Sequence, residues 1–317
     1  MPLESLMSEY APSIEIEPHV HLVRGLNMAR FPEANSLLID DEILTLVDAG
    51  SDLGQVSKAL KNIGHRLEDV ERLILTHFHL DHKHHSEEIH KISGCEVICH
   101  PLSDKGVETF LGMADYYGIL HHPLFETWKV MIKGWIPPIH GNYTVTGHYE
   151  DMKTISCGEV DLIPIHLPGH TLDHTCFGIN GFETIFLVDI DLTGFGPWYG
   201  NKVSDIRDFQ DSIERVIQLE PKVGISSHLQ DVVTDDLSSR LVQFTDTFEK
   251  REERILKNIS DGYDTLEKLV QLPTIYPRIP EVIFEIFEEF MLKKHLEILV
   301  EDAKIVQDGS RYKIERR

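Results

Sequence analysis

Short apolar runs alternate with longer stretches of helical spacing along most of the chain. Residues 14–23 alternate apolar and polar side chains, which predicts a half-buried strand. Runs 36–39 and 43–47, joined by Asp40-Asp41, predict a hairpin. Residues 53–63 have helical spacing and stop at Gly64, a natural helix terminator. A buried strand at 73–75, a helix over 83–92 ending near Gly94 and a short buried strand at 95–99 follow. The rhythm then breaks. Residues 110–150 are dense in aromatic side chains (Tyr116, Tyr117, Trp128, Trp135) and interrupted by Pro137-Pro138. Such a segment reads either as a substrate lid or as a packed helical excursion.

The β rhythm returns at 160–167, 184–188 and 223–226. An amphipathic helix at 204–219 is expected to take Ser204 as its N-cap, with Asp205 in its first turn. Beyond residue 235 the pattern turns helical: 235–259, 265–269 and 282–300, the last with Ile283, Ile286, Phe287, Phe290, Leu296 and Leu299 on one stripe. Residues 304–314 then form a hairpin around Asp308-Gly309. The pattern divides the chain at 234: a unit of mixed strands and helices over 1–234 with the insertion 110–150, and a C-terminal helical unit over 235–317.

Composition narrows the classes. With 317 residues and 41% hydrophobic content, the chain can bury a proper core. No apolar run approaches the ~20 residues of a membrane helix. Residues 1–10 hold two Glu and no basic residue, so they do not read as a secretory signal. The four cysteines form no C-x-x-C pair, which points to a reducing cytoplasm. A net charge of −23 disfavours nucleic acid as a partner, short of a local basic groove.

The candidate chemistry starts at Thr76-His77-Phe78-His79-Leu80-Asp81-His82, directly after the 73–75 strand. In extended backbone His77 and His79 face one side. A helix starting near Asp81 would turn Asp81 and His82 toward a neighbouring point, so one short segment could serve two metal ions. His170 sits in Pro168-Gly169-His170-Thr171 after another strand, and Asp189 and His228 each follow a strand end. His84, His85, His90 and His100 have no recruiting spacing and read as surface or packing residues.

These motifs and their order resemble the metallo-β-lactamase superfamily of hydrolases. The resemblance extends to glyoxalase II-like and lactamase-like members with a C-terminal winged-helix domain. It implies an α/β protein with an αββα sandwich holding one or two metals between its sheets. It further implies that His77, His79 and His170 bind one metal, and Asp81, His82 and His228 the other. Asp189 would lie between them, with Asp191 as the alternative bridge. Asp48 in Asp48-Ala49-Gly50 would support the ligand loop from behind, and Asp81 would also act catalytically by orienting the nucleophile. His and carboxylate ligands suit two Zn²⁺, with Fe or Mn as alternatives.

The expected reaction is hydrolysis of a small ester, thioester or lactone by a dinuclear site with a bridging hydroxide. The alternatives are an RNA or single-stranded DNA phosphodiesterase and a mononuclear-iron persulfide dioxygenase. Lys83-His84-His85 replaces the small residues of many relatives and is expected to alter the mouth of the site. The mildly acidic C-terminal unit is expected to serve packing, homodimer formation or the active-site rim rather than DNA binding.

Overall fold

A computed structural model describes residues 11–279, 281 and 283–315. The expectations for residues 1–10 and for Val282 therefore lie outside the described residues. Two sheets stack face to face. The first runs β1 (Ser13–Glu17), β2 (Val20–Val23), β3 (Ser36–Ile39), β4 (Thr45–Val47), β5 (Arg72–Leu75), β6 (Glu96–Cys99) and β7 (Gly147–His148) in spatial order. It is antiparallel up to β4 and parallel from there on. The second contains β8 (Ile155–Ser156), β9 (Asp161–His166), β10 (Thr175–Ile179), β11 (Thr184–Val188) and β12 (Val223–Ser226). Its order is β12-β11-β10-β9-β8, with only β11 and β12 parallel.

The period-2 alternation of strands explains the four layers. On β5, Ile74 faces the second sheet while Leu73 and Leu75 face helices. On β11, Phe186 and Val188 face the first sheet while Ile185 and Leu187 face the opposite helix layer. Both strands are thus buried on both sides and read as unbroken apolar runs. Leu37, Ile39, Phe177 and Ile225 complete the layer between the sheets. Each such fully buried side chain contributes about 1.5–3 kcal/mol. The helices Leu53–Asn62 and Ser86–Ser93 cover the first sheet; Ile206–Gln218 and Leu237–Ser260 cover the second. The result is an αββα sandwich.

Several local expectations change. The 14–23 run is a hairpin, β1 and β2, turning at Pro18-His19 with His19 at φ +69°. Strand β10 had no sequence expectation; it is buried along its whole length and shows no alternation. Asp205, not Ser204, caps the helix Ile206–Gln218: its carboxylate accepts from Asp208 N at 3.0 Å. Ser204 Oγ instead donates to the carbonyls of Tyr199 (2.6 Å) and Asn201 (2.8 Å). The insertion, read as a lid or a packed helical excursion, contains helices Phe110–Tyr117 and Phe125–Trp135. At the C-terminus, helix Leu237–Ser260 is followed by Leu266–Val270, Ile283–Glu301 and the hairpin β13 (Ile305–Asp308) with β14 (Arg311–Ile314). Thr265 bridges to Arg311 at the hairpin's edge. The apolar cluster around Phe209 and Ile213 continues without a break into Phe248, Leu292 and Leu296.

Candidate metal centre

The carboxyl ends of β5, β9, β11 and β12 meet at one edge of the sandwich. β5 delivers His77, His79, Asp81 and His82; β9 leads through Pro168-Gly169 to His170; β11 ends at Asp189; β12 leads to His228. Two ligand-type groups result: His77, His79, His170 and Asp189, and next to them Asp81, His82 and His228. Within each group the candidate ligand atoms lie within 4.8 Å of one another. Asp189 stands at the junction. Its Oδ2 is 3.0 Å from His170 Nε2 and 3.8 Å from His77 Nε2; its Oδ1 is 3.1 Å from His82 Nε2 and 3.5 Å from His228 Nε2. Asp191 belongs to neither group; its Oδ1 accepts from Thr193 N at 2.8 Å.

Close approach of backbone makes this edge. Gly169, at φ +126°, lies where a Cβ would meet Phe209 N at 2.2 Å. That turn therefore needs glycine both for its left-handed backbone and for its fit against the helix. Val188, immediately before Asp189, also has positive φ, +53°, and the β11–β12 register shifts between Phe186 and Val188. A β-branched residue there stores backbone strain beside the site.

The outer nitrogens of four imidazoles are fixed. His82 Nδ1 donates to Asp48 Oδ2 at 2.7 Å, His170 Nδ1 to Trp198 O at 2.8 Å and His228 Nδ1 to Ala29 O at 2.7 Å. Thr76 Oγ1 donates to Asp48 Oδ2 at 2.8 Å and so accepts from His77 Nδ1 at 3.0 Å. Asp48 also accepts from Thr76 N at 2.9 Å. Each of these rings is left with its Nε2 pointing inward, that of His170 lying 2.8 Å from His79 Nδ1. His77 Nε2, His82 Nε2 and Asp189 Oδ1 are buried without a hydrogen-bond partner. Buried polar atoms are normally satisfied, and lone pairs converging from imidazole and carboxylate match what a divalent transition metal takes.

The electrostatics divide the two groups. Burial, then the neighbouring imidazoles, hold His77 and His79 well below the usual histidine range, which keeps them neutral. Burial opposes charge on His82 and His228, yet carboxylates override it. Asp189 and Asp48 hold His82 well above its ordinary value; Asp189, with Asp81 and Asp191, lifts His228 to about 9. Positive charge is favoured in that half of the site.

Two further groups support the centre: Asn201, which the sequence does not mark, and His174, four residues beyond His170, which it marks as a supporting or packing residue. Asn201 Nδ2 donates to His170 O at 2.9 Å and lies 3.2 Å from His79 Nε2. His174 Nδ1 donates to Leu167 O, and its Nε2 accepts from Asp189 N at 3.2 Å. The expectation that Lys83-His84-His85 shapes the mouth is corrected. Lys83 is buried and its Nζ donates to Val107 O at 2.6 Å; His84 is buried with Nδ1 donating to Leu80 O. None of the three lines the cavity above the ligands, because the turn Leu80–Lys83 points them inward beneath the site. That cavity, of about 750 Å³, is walled largely by aromatic side chains, including Tyr117 and Trp128 of the 110–150 segment.

A family model for the metallo-beta-lactamase superfamily matches residues 30–228. Two atrochrysone carboxyl ACP thioesterases are similar: that of Aspergillus fumigatus is 24% identical over 159 residues, that of Aspergillus chevalieri 25% over 149. These matches cover 47% and 44% of this chain and 48% and 46% of the relatives, so the chain spans about half the length of the curated relatives it matches. Among solved structures, a metallo-beta-lactamase family protein of Thermus thermophilus superposes with a TM-score of 0.73 at 19% identity, over 95% of this chain and 100% of that one. A beta-lactamase domain protein of Burkholderia ambifaria gives 0.69 at 17% identity, over 98% and 96%. At these identities the structural likeness is one of fold.

Proposed function

This chain belongs to the metallo-β-lactamase superfamily, and from that premise we propose that it is a dinuclear metal-dependent hydrolase of a small ester, thioester or lactone. The observation that carries the reading is the paired ligand-type groups, one member of each (His77 and His82) with a buried, unpartnered Nε2, and the unpartnered Asp189 Oδ1 between them. His77, His79 and His170 would hold one ion and Asp81, His82 and His228 the other, with Asp189 shared. Zn²⁺ suits this set, as do Fe and Mn. When bound, two such ions would lower the pKa of a water, polarise the electrophile and stabilise the charge developing on the attacked centre and leaving group. Asp48 fixes the His82 tautomer, and the Trp198 carbonyl that of His170. Asp81 orients the nucleophile with its carboxylate. The aromatic cavity holds the substrate and sheds its water. The thioesterase relatives favour a thioester among the candidate bonds.

We further propose that residues 1–234 form the hydrolase unit and 235–317 a winged-helix-like unit, given the helix order and the Thr265–Arg311 bridge to the hairpin. Its role is to complete the active-site rim, since Tyr276, Phe284 and Phe287 reach the cavity. The four cysteines, all buried and unpaired, are consistent with a reducing cytoplasm. Among the described residues no helix is long and apolar enough to cross a membrane.

Metal analysis of the purified chain should find close to two ions, and Asp189→Ala should lose metal and thioester hydrolysis together. One iron per chain with oxygen uptake on a persulfide would overturn the hydrolase reading. RNA cleavage far outpacing ester, thioester and lactone hydrolysis would overturn the small-molecule preference.

A further inference from the structure

The cavity opens directly onto His79, Asp81, His170, Asp189 and His228, and its volume falls in the range of pockets that enclose a drug-sized molecule. Three segments remote in sequence build one aromatic wall. Phe31 comes from the loop after β2, Trp135 from the helix Phe125–Trp135, and Tyr276, Phe284 and Phe287 from the C-terminal segment. The rings touch in series: Phe31–Trp135 at 6.0 Å, Trp135–Phe284 at 6.5 Å, Phe284–Tyr276 at 5.7 Å and Phe284–Phe287 at 6.2 Å between centroids. At the mouth the wall is left open to water: Met28 is 54% exposed, Phe31 42% and Trp135 39%. An acetyl-sized group would leave most of this surface wet. A large apolar group would cover it.

Arg30 lies between Met28 and Phe31 in this lining and is the only Lys or Arg in it. It is exposed, and among the described residues its guanidinium has no ion-pair or hydrogen-bond partner. Of the acids in the lining, Asp231 is already engaged by Arg24 at 2.7 Å. Asp191 faces Thr193 N. A free planar guanidinium beside an aromatic wall, on a chain of net charge −23, is placed to receive an anionic oxygen group from a ligand.

We propose that the substrate carries a bulky apolar acyl or aryl group, seated against the Phe31–Trp135–Phe284–Phe287 wall, and an anionic oxygen group held at the mouth by Arg30. This rests on the hydrolase reading for the bond that is cleaved, but not for the binding itself. The chain's three tryptophans, Trp128, Trp135 and Trp198, all line the cavity, so their emission reports its occupation.

The test is a titration of the full chain with two dyes that share one ring system: anilinonaphthalene sulfonate and its uncharged parent phenylnaphthylamine. Both should quench the tryptophan emission, the sulfonate binding about tenfold or more tightly. Arg30→Gln should remove that advantage and leave the uncharged dye unaffected. Phe284→Ala should weaken both dyes. Failure of both dyes to bind, or a sulfonate advantage that survives Arg30→Gln, would overturn the proposal. In parallel, the metal-loaded chain should cleave decanoyl thioesters about 100-fold faster in kcat/KM than acetyl thioesters. Equal rates would also overturn it. Dye binding as expected with no ester, thioester or lactone cleaved would leave the site standing and sink the hydrolase reading. Acetyl thioester cleavage without dye binding would do the reverse.

Discussion

Gly50 lies directly against the backbone that carries Asp81 and His82, and a single methyl there should disable the site. A Cβ at Gly50 would meet the Asp81 carbonyl oxygen at 1.8 Å. Ordinary carbon–oxygen contact begins near ~3.3 Å, so the Asp81 backbone would have to retreat by about 1.5 Å. It cannot do so freely. Ala49 N donates to His82 O at 2.7 Å and His85 N to Ala49 O at 3.2 Å, tying the two loops together. Ligand constellations tolerate displacements of about 0.5 Å. Gly50→Ala should therefore lower metal affinity by about 10–100-fold, the size of loss seen when a supporting contact to a ligand is broken. Overpacking should cost a further ~1–3 kcal/mol of stability. Chelator competition measures the first effect and urea unfolding the second. Gly134→Ala is the control: it sits on an exposed helix position with nothing within 4 Å of an added Cβ, and should stabilise by up to about 1 kcal/mol. A Gly50→Ala chain that keeps the parent's metal affinity and turnover would refute the reasoning.

Asp48→Asn should weaken metal binding by about 10–100-fold, because His82 loses the carboxylate that fixes its tautomer; unchanged affinity would reduce Asp48 to a turn residue. Arg251 is 3% exposed and donates to the carbonyls of Pro197 and Phe195 and to the Tyr199 hydroxyl, at 3.0 Å for the last. Arg251→Met should cost about 3–5 kcal/mol in urea unfolding, since three buried acceptors lose a charged donor. It should also reach catalysis, because the loop it holds carries the Trp198 carbonyl that orients His170; a loss below ~1 kcal/mol would contradict the accounting. At Val188, glycine and alanine both remove the side chain, but only glycine relieves φ +53°. In a strand the glycine variant is normally the weaker of the two by ~0.5–1 kcal/mol. Here Val188→Gly should equal or exceed Val188→Ala in stability, and a clear alanine advantage would mean no strain is stored.

Most of the candidate ligand set was legible because its members sit at strand ends, where an apolar run stops and a His or Asp begins. His77 to His82 and Pro168 to Thr171 are contiguous, so local spacing alone brings their side chains to attention. The partners that orient them were not legible. Trp198 O and Ala29 O are backbone carbonyls with no residue signature, lying 28 and 199 residues from the imidazoles they anchor. Asn201 is one buried asparagine after an aromatic loop, with nothing local to mark it. Lys83 misled in the other direction: a lysine after a ligand suggests a charged rim, but the turn Leu80–Lys83 sends its stem beneath the sheet end to Val107 O. Strand β10 escaped because Thr175 and Gly178 break its apolar run, and the β1–β2 turn because the alternation runs on through Pro18-His19.

The last candidate ligand is tied to an early segment of the chain. His228 Nδ1 reaches Ala29 O, and Asn35 Nδ2 donates to the carbonyls of Ser226 (3.0 Å) and Leu229 (2.6 Å) across 191 and 194 residues. Closing a loop of that length is entropically costly and comes late in folding. During synthesis His77, His79, His170 and Asp189 therefore emerge and can assemble before His228 completes the second group. The order of metal loading is expected to follow the order of translation, and a nascent chain halted before residue 228 should retain a single ion.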